Sequence, residues 1–148
     1  MDKVELSDEW WIELLSATSR FVRSSQAAAG HHPGSATWRV LTTLDYYGPS
    51  RATDIARAEC SSQPTVSRLL ARLRDEDLIA TEVDPTDRRA MLVTLTPAGK
   101  TLLNRNRQSL VDAVRSVSSS LEQDEIDALN KAVKTLNSLS DSMREHEC

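Results

Sequence analysis

Ser62-Gln63-Pro64-Thr65-Val66-Ser67-Arg68-Leu69-Leu70-Ala71-Arg72-Leu73, with the later run Asp84-Pro85-Thr86-Asp87-Arg88-Arg89-Ala90-Met91-Leu92-Val93-Thr94-Leu95, decides the fold. In the first run Val66, Leu69, Leu70 and Leu73 recur at i, i+3, i+4 and i+7, the apolar stripe of a helix reaching to about Asp77. Ser61 or Ser62 can cap it, and Pro64 sits in the first turn, where a missing N–H costs nothing. The opposite face carries Thr65, Arg68, Arg72 and Asp75. Upstream, Ser50 is expected to cap a short helix from Arg51 to Glu59 with Ile55 and Ala56 facing inward, and Cys60-Ser61-Ser62 interrupts it. Downstream the period changes from 3.6 to 2. Ile79–Val83 and Ala90–Leu95 read as two strands, joined by a Pro- and Asp-rich turn that ends in Arg88 and Arg89. Two short helices, a tight turn and a hairpin make a winged helix–turn–helix, so the fold class is mainly α with a small β-wing.

Working outward, Ala36 to Tyr46 reads as a helix with Trp38, Val40, Leu41 and Leu44 on its apolar side, ended by Tyr47-Gly48-Pro49. Gly30 to Ser35 is loop chemistry. Before it, Ser7 starts a helix to about Arg23 with Trp11, Leu14, Leu15, Phe21 and Val22 on one face, widened by Trp10 and Ile12. Thr96-Pro97 caps a long helix expected to run to about Ser119. A last helix from about Asp124 to Arg144 carries Ile126, Leu129, Val133, Leu136, Leu139 or Ser140, and Met143, a narrow near-heptad seam.

The 148 residues suit one domain; 39% are hydrophobic and 27% charged. Lys and Arg number 18 against 22 Asp and Glu, a formal charge of −4, so bulk charge does not announce a nucleic-acid binder. Aromatic residues make up 4%, too few for a base-stacking surface. No membrane span, signal peptide or repeat is visible, and a cytoplasmic location is expected. Two cysteines, Cys60 and Cys148, make no disulfide framework. His31, His32 and His146 lack metal-ligand spacing, so no metal or other cofactor is expected. No Gly-rich phosphate loop, His-Glu-x-x-His or Gly-x-Ser-x-Gly supports catalysis, and the chain reads as a non-enzyme.

The chain resembles the MarR family of bacterial transcription regulators. The likeness rests on Gln63-Pro64-Thr65-Val66-Ser67-Arg68-Leu69-Leu70, on Leu78-Ile79, and above all on Asp87-Arg88-Arg89 through Leu95-Thr96-Pro97-Ala98-Gly99. The last string matches the family's Asp-x-Arg, hydrophobic strand and Leu-Thr-x-x-Gly. The resemblance implies that Ser62, Gln63, Pro64, Thr65, Ser67 and Arg68 read the major groove of double-stranded DNA, with Arg72 a further contact. It implies that Arg89 enters the minor groove, with Arg88 beside it and Asp87 orienting the arginine or the hairpin through an ion pair. Ser50, Arg51 and Thr53 would hold phosphates at a helix N-terminus. It further implies a homodimer, with a lobe at residues 36–96 and dimerisation helices at 1–30 and 97–148, bound to a pseudo-palindromic operator as a repressor. A small-molecule effector such as an aromatic acid would sit between the lobe and the dimer helices, near Trp38, Arg39 and His31.

The chain departs from the family pattern in two places. Glu59-Cys60-Ser61 replaces a Leu-Gly-Val-like turn, and Asp77 replaces a glycine after the recognition helix, so that helix end is expected to differ. Residues 50 to 90 hold seven Arg against eight Asp or Glu, so a DNA face must be positive by arrangement. Cys60 reads either as a small buried residue or as a redox switch, its thiolate favoured by the following helix. Cys148 reads either as a mobile tail thiol or as a resolving partner across the dimer. A winged-helix protein-interaction module that does not bind DNA is the rival reading.

Overall fold

The computed structural model describes residues 6–30 and 35–146, with side chains to Met143. His31, His32 and Cys148 lie outside the described residues. Ser7 accepts the Trp10 amide at 3.3 Å and opens α1 (Asp8–Ala28), which runs past the expected end at Arg23. Ser35 accepts the Trp38 amide and opens α2 (Ala36–Tyr47). Gly48 stops that helix in a left-handed conformation, φ +76°, and donates its N–H to Leu44 O.

The next element differs from the sequence reading. Ser50 does not cap a helix; Ser50–Arg51 form a two-residue strand, β1, and Arg51 is the N-cap of α3 (Ala52–Ala58), with no side-chain capping bond. Two residues carry no alternation to read. Their partners, Val93 and Leu92, lie some forty positions away, so only the folded sheet reveals the strand. Then come α4 (Gln63–Asp75), β2 (Ile79–Val83) and β3 (Met91–Leu95). The sheet is antiparallel in the order β1-β3-β2, with Ile79 opposite Leu95 and Val83 opposite Met91. Met91 shares the face of buried Val93 yet is exposed, because the hairpin projects beyond the core.

Both helix–turn–helix elements end in the same hydrogen-bonded motif. Ser61 N–H bonds Ala56 O and Cys60 N–H bonds Arg57 O, while Leu78 N–H bonds Leu73 O and Asp77 N–H bonds Arg74 O. Each motif needs one left-handed residue, supplied by Cys60 (φ +47°) and Asp77 (φ +57°). The end of α4 therefore keeps the usual geometry despite lacking glycine, since Asp is among the residues that visit this region. Cys60 is exposed, against the expectation of a small buried residue. Cys60→Gly should remove the cost of a Cβ there, less the entropy glycine loses on folding. The variant should be about 0.5–1 kcal/mol more stable, read as a rise in urea midpoint at unchanged slope.

The core gathers Val40, Leu41 and Leu44 of α2, Ile55 and Ala56 of α3, Val66, Leu70 and Leu73 of α4, Ile79, Val93, and Leu103 of α5 (Pro97–Arg115). Thr96 joins the wing to α5. Its Oγ1 accepts the Gly99 amide at 3.0 Å and donates to Asp77 O at 2.5 Å. Asp45 of α2 binds Lys100 and, at 2.6 Å, Arg107 of α5, and these cations hold its carboxyl below the ordinary value.

The chain divides into two compact units at Ala113/Val114. The second holds a 3₁₀ turn at Ser118–Ser120 and α6 (Gln123–His146), so the expected helix to Ser119 stops at Arg115. In the first unit α1 buries no residue; Leu15 is 65% and Phe21 60% exposed. In the second, no described side chain of α6 is buried, and Val133 is 57% exposed. Among the described residues no helix is long and apolar enough to cross a membrane, and no group of three or more His, Cys, Asp or Glu is placed to hold a metal ion.

Candidate nucleic-acid interface

The apolar stripe of α4 fixes which of its residues face outward. With Val66, Leu70 and Leu73 buried, Gln63, Pro64, Thr65, Ser67 and Arg68 are all exposed on the first two turns. Ser62 is the N-cap but makes no capping bond; its Oγ shares a 2.9 Å hydrogen bond with Thr65 Oγ1. The first turn thus presents short hydroxyls, an amide side chain and a helix N-terminus uncapped by any side chain. That is a surface suited to base edges and phosphate oxygens. Arg68 makes no ion pair among the described residues. Arg72 is partly engaged, donating to Thr37 Oγ1 at 2.9 Å and lying 3.7 Å from Glu76.

The wing turn is built by its own carboxylates. Asp84 N–H bonds Ala90 O to close the hairpin, and Asp87 N–H and Ala90 N–H continue the turn. Asp87 Oδ1 accepts the Arg89 amide at 3.1 Å, so Asp87 orients the backbone of that arginine; its ion pair, a loose one at 3.9 Å, is with Arg51. Arg88 and Arg89 are exposed, and neither forms an ion pair among the described residues.

Asp84 was not singled out from sequence. It is 4% exposed and accepts Thr86 N–H and Oγ1–H at 2.8 and 2.6 Å on one oxygen, with Arg51 Nε and an Arg51 terminal nitrogen at 2.9 and 2.6 Å on the other. The Thr86 bonds first, and Arg51 after them, hold the carboxyl far below the ordinary carboxylate range. Arg51, expected at a helix N-terminus on a phosphate, is the N-cap of α3 and pairs with Asp84 while its side chain stays part exposed. Ser50 donates its hydroxyl to Gly48 O at 3.0 Å. Thr53 remains exposed in the first turn of α3. The local signal for Asp84 was Asp84-Pro85-Thr86, an Asx-type turn, but the Arg51 partner lies 33 positions away.

Several acidic residues of this region are engaged by other partners or lie far from α4's N-terminus. Glu59 reaches back to α2, accepting Arg39 Nε at 2.5 Å and Thr43 Oγ1 at 3.5 Å. Asp54 lies 3.7 Å from Arg57. Asp75, Glu76 and Asp77 gather at the far end of α4 and just beyond it, about 15 Å along the helix from Thr65. That exceeds the screening length of about 8 Å at physiological salt. Of the expected effector contacts, Trp38 packs against the core and Arg39 is engaged by Glu59.

A profile of the MarR family matches residues 35–91, from the cap of α2 to the start of β3. A Bacillus subtilis protein described as the uncharacterized HTH-type transcriptional regulator YxaD is 28% identical over 101 residues, 68% of this chain and 71% of that one. The HTH-type transcriptional repressor NicR of Pseudomonas putida is 31% identical over 78 residues, 53% of this chain and 47% of that one. Among solved structures, Bordetella bronchiseptica BpsR matches with a TM-score of 0.58 at 28% identity, covering 92% of this chain and 98% of BpsR. With the helix–turn–helix, the Asp-x-Arg wing and the Leu-Thr-x-x-Gly junction all in place, residues 35–91 match the MarR family and the chain is similar to HTH-type transcription regulators.

Proposed function

We propose that two copies of this chain form a dimer that occupies a pseudo-palindromic operator, represses transcription by exclusion and is released by an aromatic acid. The observation that carries the reading is the pairing of an exposed, polar α4 N-terminus with wing arginines that no acidic residue engages among the described residues. Gln63, Thr65, Ser67 and Arg68 meet base edges in the major groove, and Arg89, with Arg88, meets the negative potential of the minor groove. A second copy supplies cover for the apolar strips of α1 and α6 and sets the half-sites one helical turn apart. The dimer works in the cytoplasm, where its operator is.

Support for an aromatic effector comes from a relative: 6-hydroxynicotinic acid regulates the DNA binding of BpsR. In this chain Trp38 and Arg39 are the contacts such an acid would use, and His31 is a third candidate. Its carboxylate would compete with Glu59 for Arg39, and Glu59 is the C-cap of α3, directly before the turn into α4. Taking Arg39 away loosens that turn and shifts the reading helix.

The test is fluorescence anisotropy with labelled intergenic DNA flanking the chain's own coding sequence, from 50 to 200 mM salt. Binding should exceed that to scrambled DNA, weaken steeply with salt and be reversed by 6-hydroxynicotinic acid or a related aromatic acid. Sedimentation should give twice the protomer mass. Equal affinity for scrambled DNA would overturn the regulator reading in favour of a protein-interaction module. Salt-sensitive, specific binding that no aromatic acid reverses would overturn the effector alone.

A further inference from the structure

We propose that Asp84 is the positioning residue of the wing, locking the hairpin to the N-terminus of α3 through Arg51 and shaping its tip through Thr86. The inference rests on the DNA-binding reading above and assigns a role to residues it leaves unused.

A two-stranded hairpin is marginal by itself. Here the wing projects past the core, as exposed Val83 and Met91 show, so the core does not hold its distal half. Asp84 stands where that half begins, one residue beyond β2, and its carboxylate is saturated from two sides. Thr86 fixes the near limb of the turn. Arg51 belongs to β1 and caps α3, so its bonds tie the turn to the helix–turn–helix. The remaining turn bonds run on in series, Asp87 N–H to Asp84 O and then Ala90 N–H to Asp87 O, and the second spans Arg88 and Arg89. Without the lock, ordering of the tip would be deferred to the moment of DNA binding and weaken it.

Charge alone predicts the opposite. Asp84 is an acid in a protein that binds a polyanion, and neutralising an acid near DNA tightens binding. The experiment uses full-length protein and the labelled intergenic fragment at fixed salt, below the unfolding range of every variant. Asp84→Asn should weaken binding about tenfold, an effect the size of ordering one residue. Arg51→Ala should do the same, and the two together no more than either. In an Arg89→Ala background, Asp84→Asn should cost clearly less than about tenfold, because one of the two arginines it positions is gone. Amide exchange without DNA supplies a separate readout: Asp87 and Ala90 should lose protection in Asp84→Asn while core amides of α2 keep theirs.

Unchanged or tighter binding by Asp84→Asn would overturn the proposal, as would an undiminished loss in the Arg89→Ala background or unchanged protection at Asp87 and Ala90. Those outcomes leave the regulator reading standing. Failure of the parent protein to prefer the fragment, or full affinity in Arg89→Ala, would overturn that reading and this one together.

Discussion

Replacing Gly99 with alanine is expected to destabilise the protein by about 3 kcal/mol, at the upper end of what overpacking costs. The third residue of α5 has no room for a Cβ: one placed there would stand 2.1 Å from Leu78 O, 2.9 Å from Leu95 Cδ1 and 3.0 Å from Leu78 C. No rotamer change can relieve a clash with backbone. Leu78 O cannot retreat freely either, since it accepts Thr96 N–H at 3.2 Å and follows the left-handed Asp77 that ends α4. Relief requires α5 to move off the end of α4. That movement would break the Thr96 cap and pull on Leu103, which is fully buried one turn further along α5. Thermal unfolding followed by circular dichroism should show the midpoint falling by roughly 6–12 °C. A midpoint within 2 °C of the parent, at the same protein concentration, would mean that the junction is not close-packed.

The second large effect is on binding rather than folding. Arg68→Ala together with Arg89→Ala should abolish preference for the intergenic fragment. Each arginine is worth about 1–3 kcal/mol at a base edge or narrow groove, and a dimer loses every contact twice. Neither guanidinium forms an ion pair among the described residues, so the doubly substituted protein should unfold within about 2 °C of the parent, as surface substitutions do. Its residual binding should be flatter in salt by roughly one unit of slope per lost phosphate contact. Arg72→Ala is the informative contrast. Its side chain already donates to Thr37 and lies beside Glu76, so its removal should cost much less DNA affinity. Specific binding that survives the double substitution would place the interface elsewhere on the molecule.

Much of the fold could be read from local pattern because it is local in cause. The i, i+3, i+4, i+7 stripe of Val66 to Leu73 names both the buried and the exposed side of α4. The change to period 2 puts the two main strands within a residue of where they lie. Caps are equally local: Ser7, Ser35 and Thr96 accept amides three residues ahead, a bond that needs nothing distant. The outward residues of the interface follow from the same periodicity, with Gln63 to Arg68 opposite a buried stripe and Arg88 and Arg89 in a turn.

What sequence could not supply are the choices made between residues far apart along the chain. Arg51 could serve a phosphate or a carboxylate with the same guanidinium. The sheet brings Asp84 to it across 33 positions, and the carboxylate takes it. Glu59 and Asp45 are likewise absorbed by α2 and α5 partners that no local rule selects. The need for glycine at position 99 comes from Leu78 O, a neighbour only once α5 has docked. By itself the sequence determined the elements, their apolar faces and the outward surface of α4, because hydrogen bonding and side-chain periodicity repeat within a few residues. Only the tertiary structure decided which charges stay available and which are spent, because ion pairing depends on distances that the chain acquires when it closes on itself.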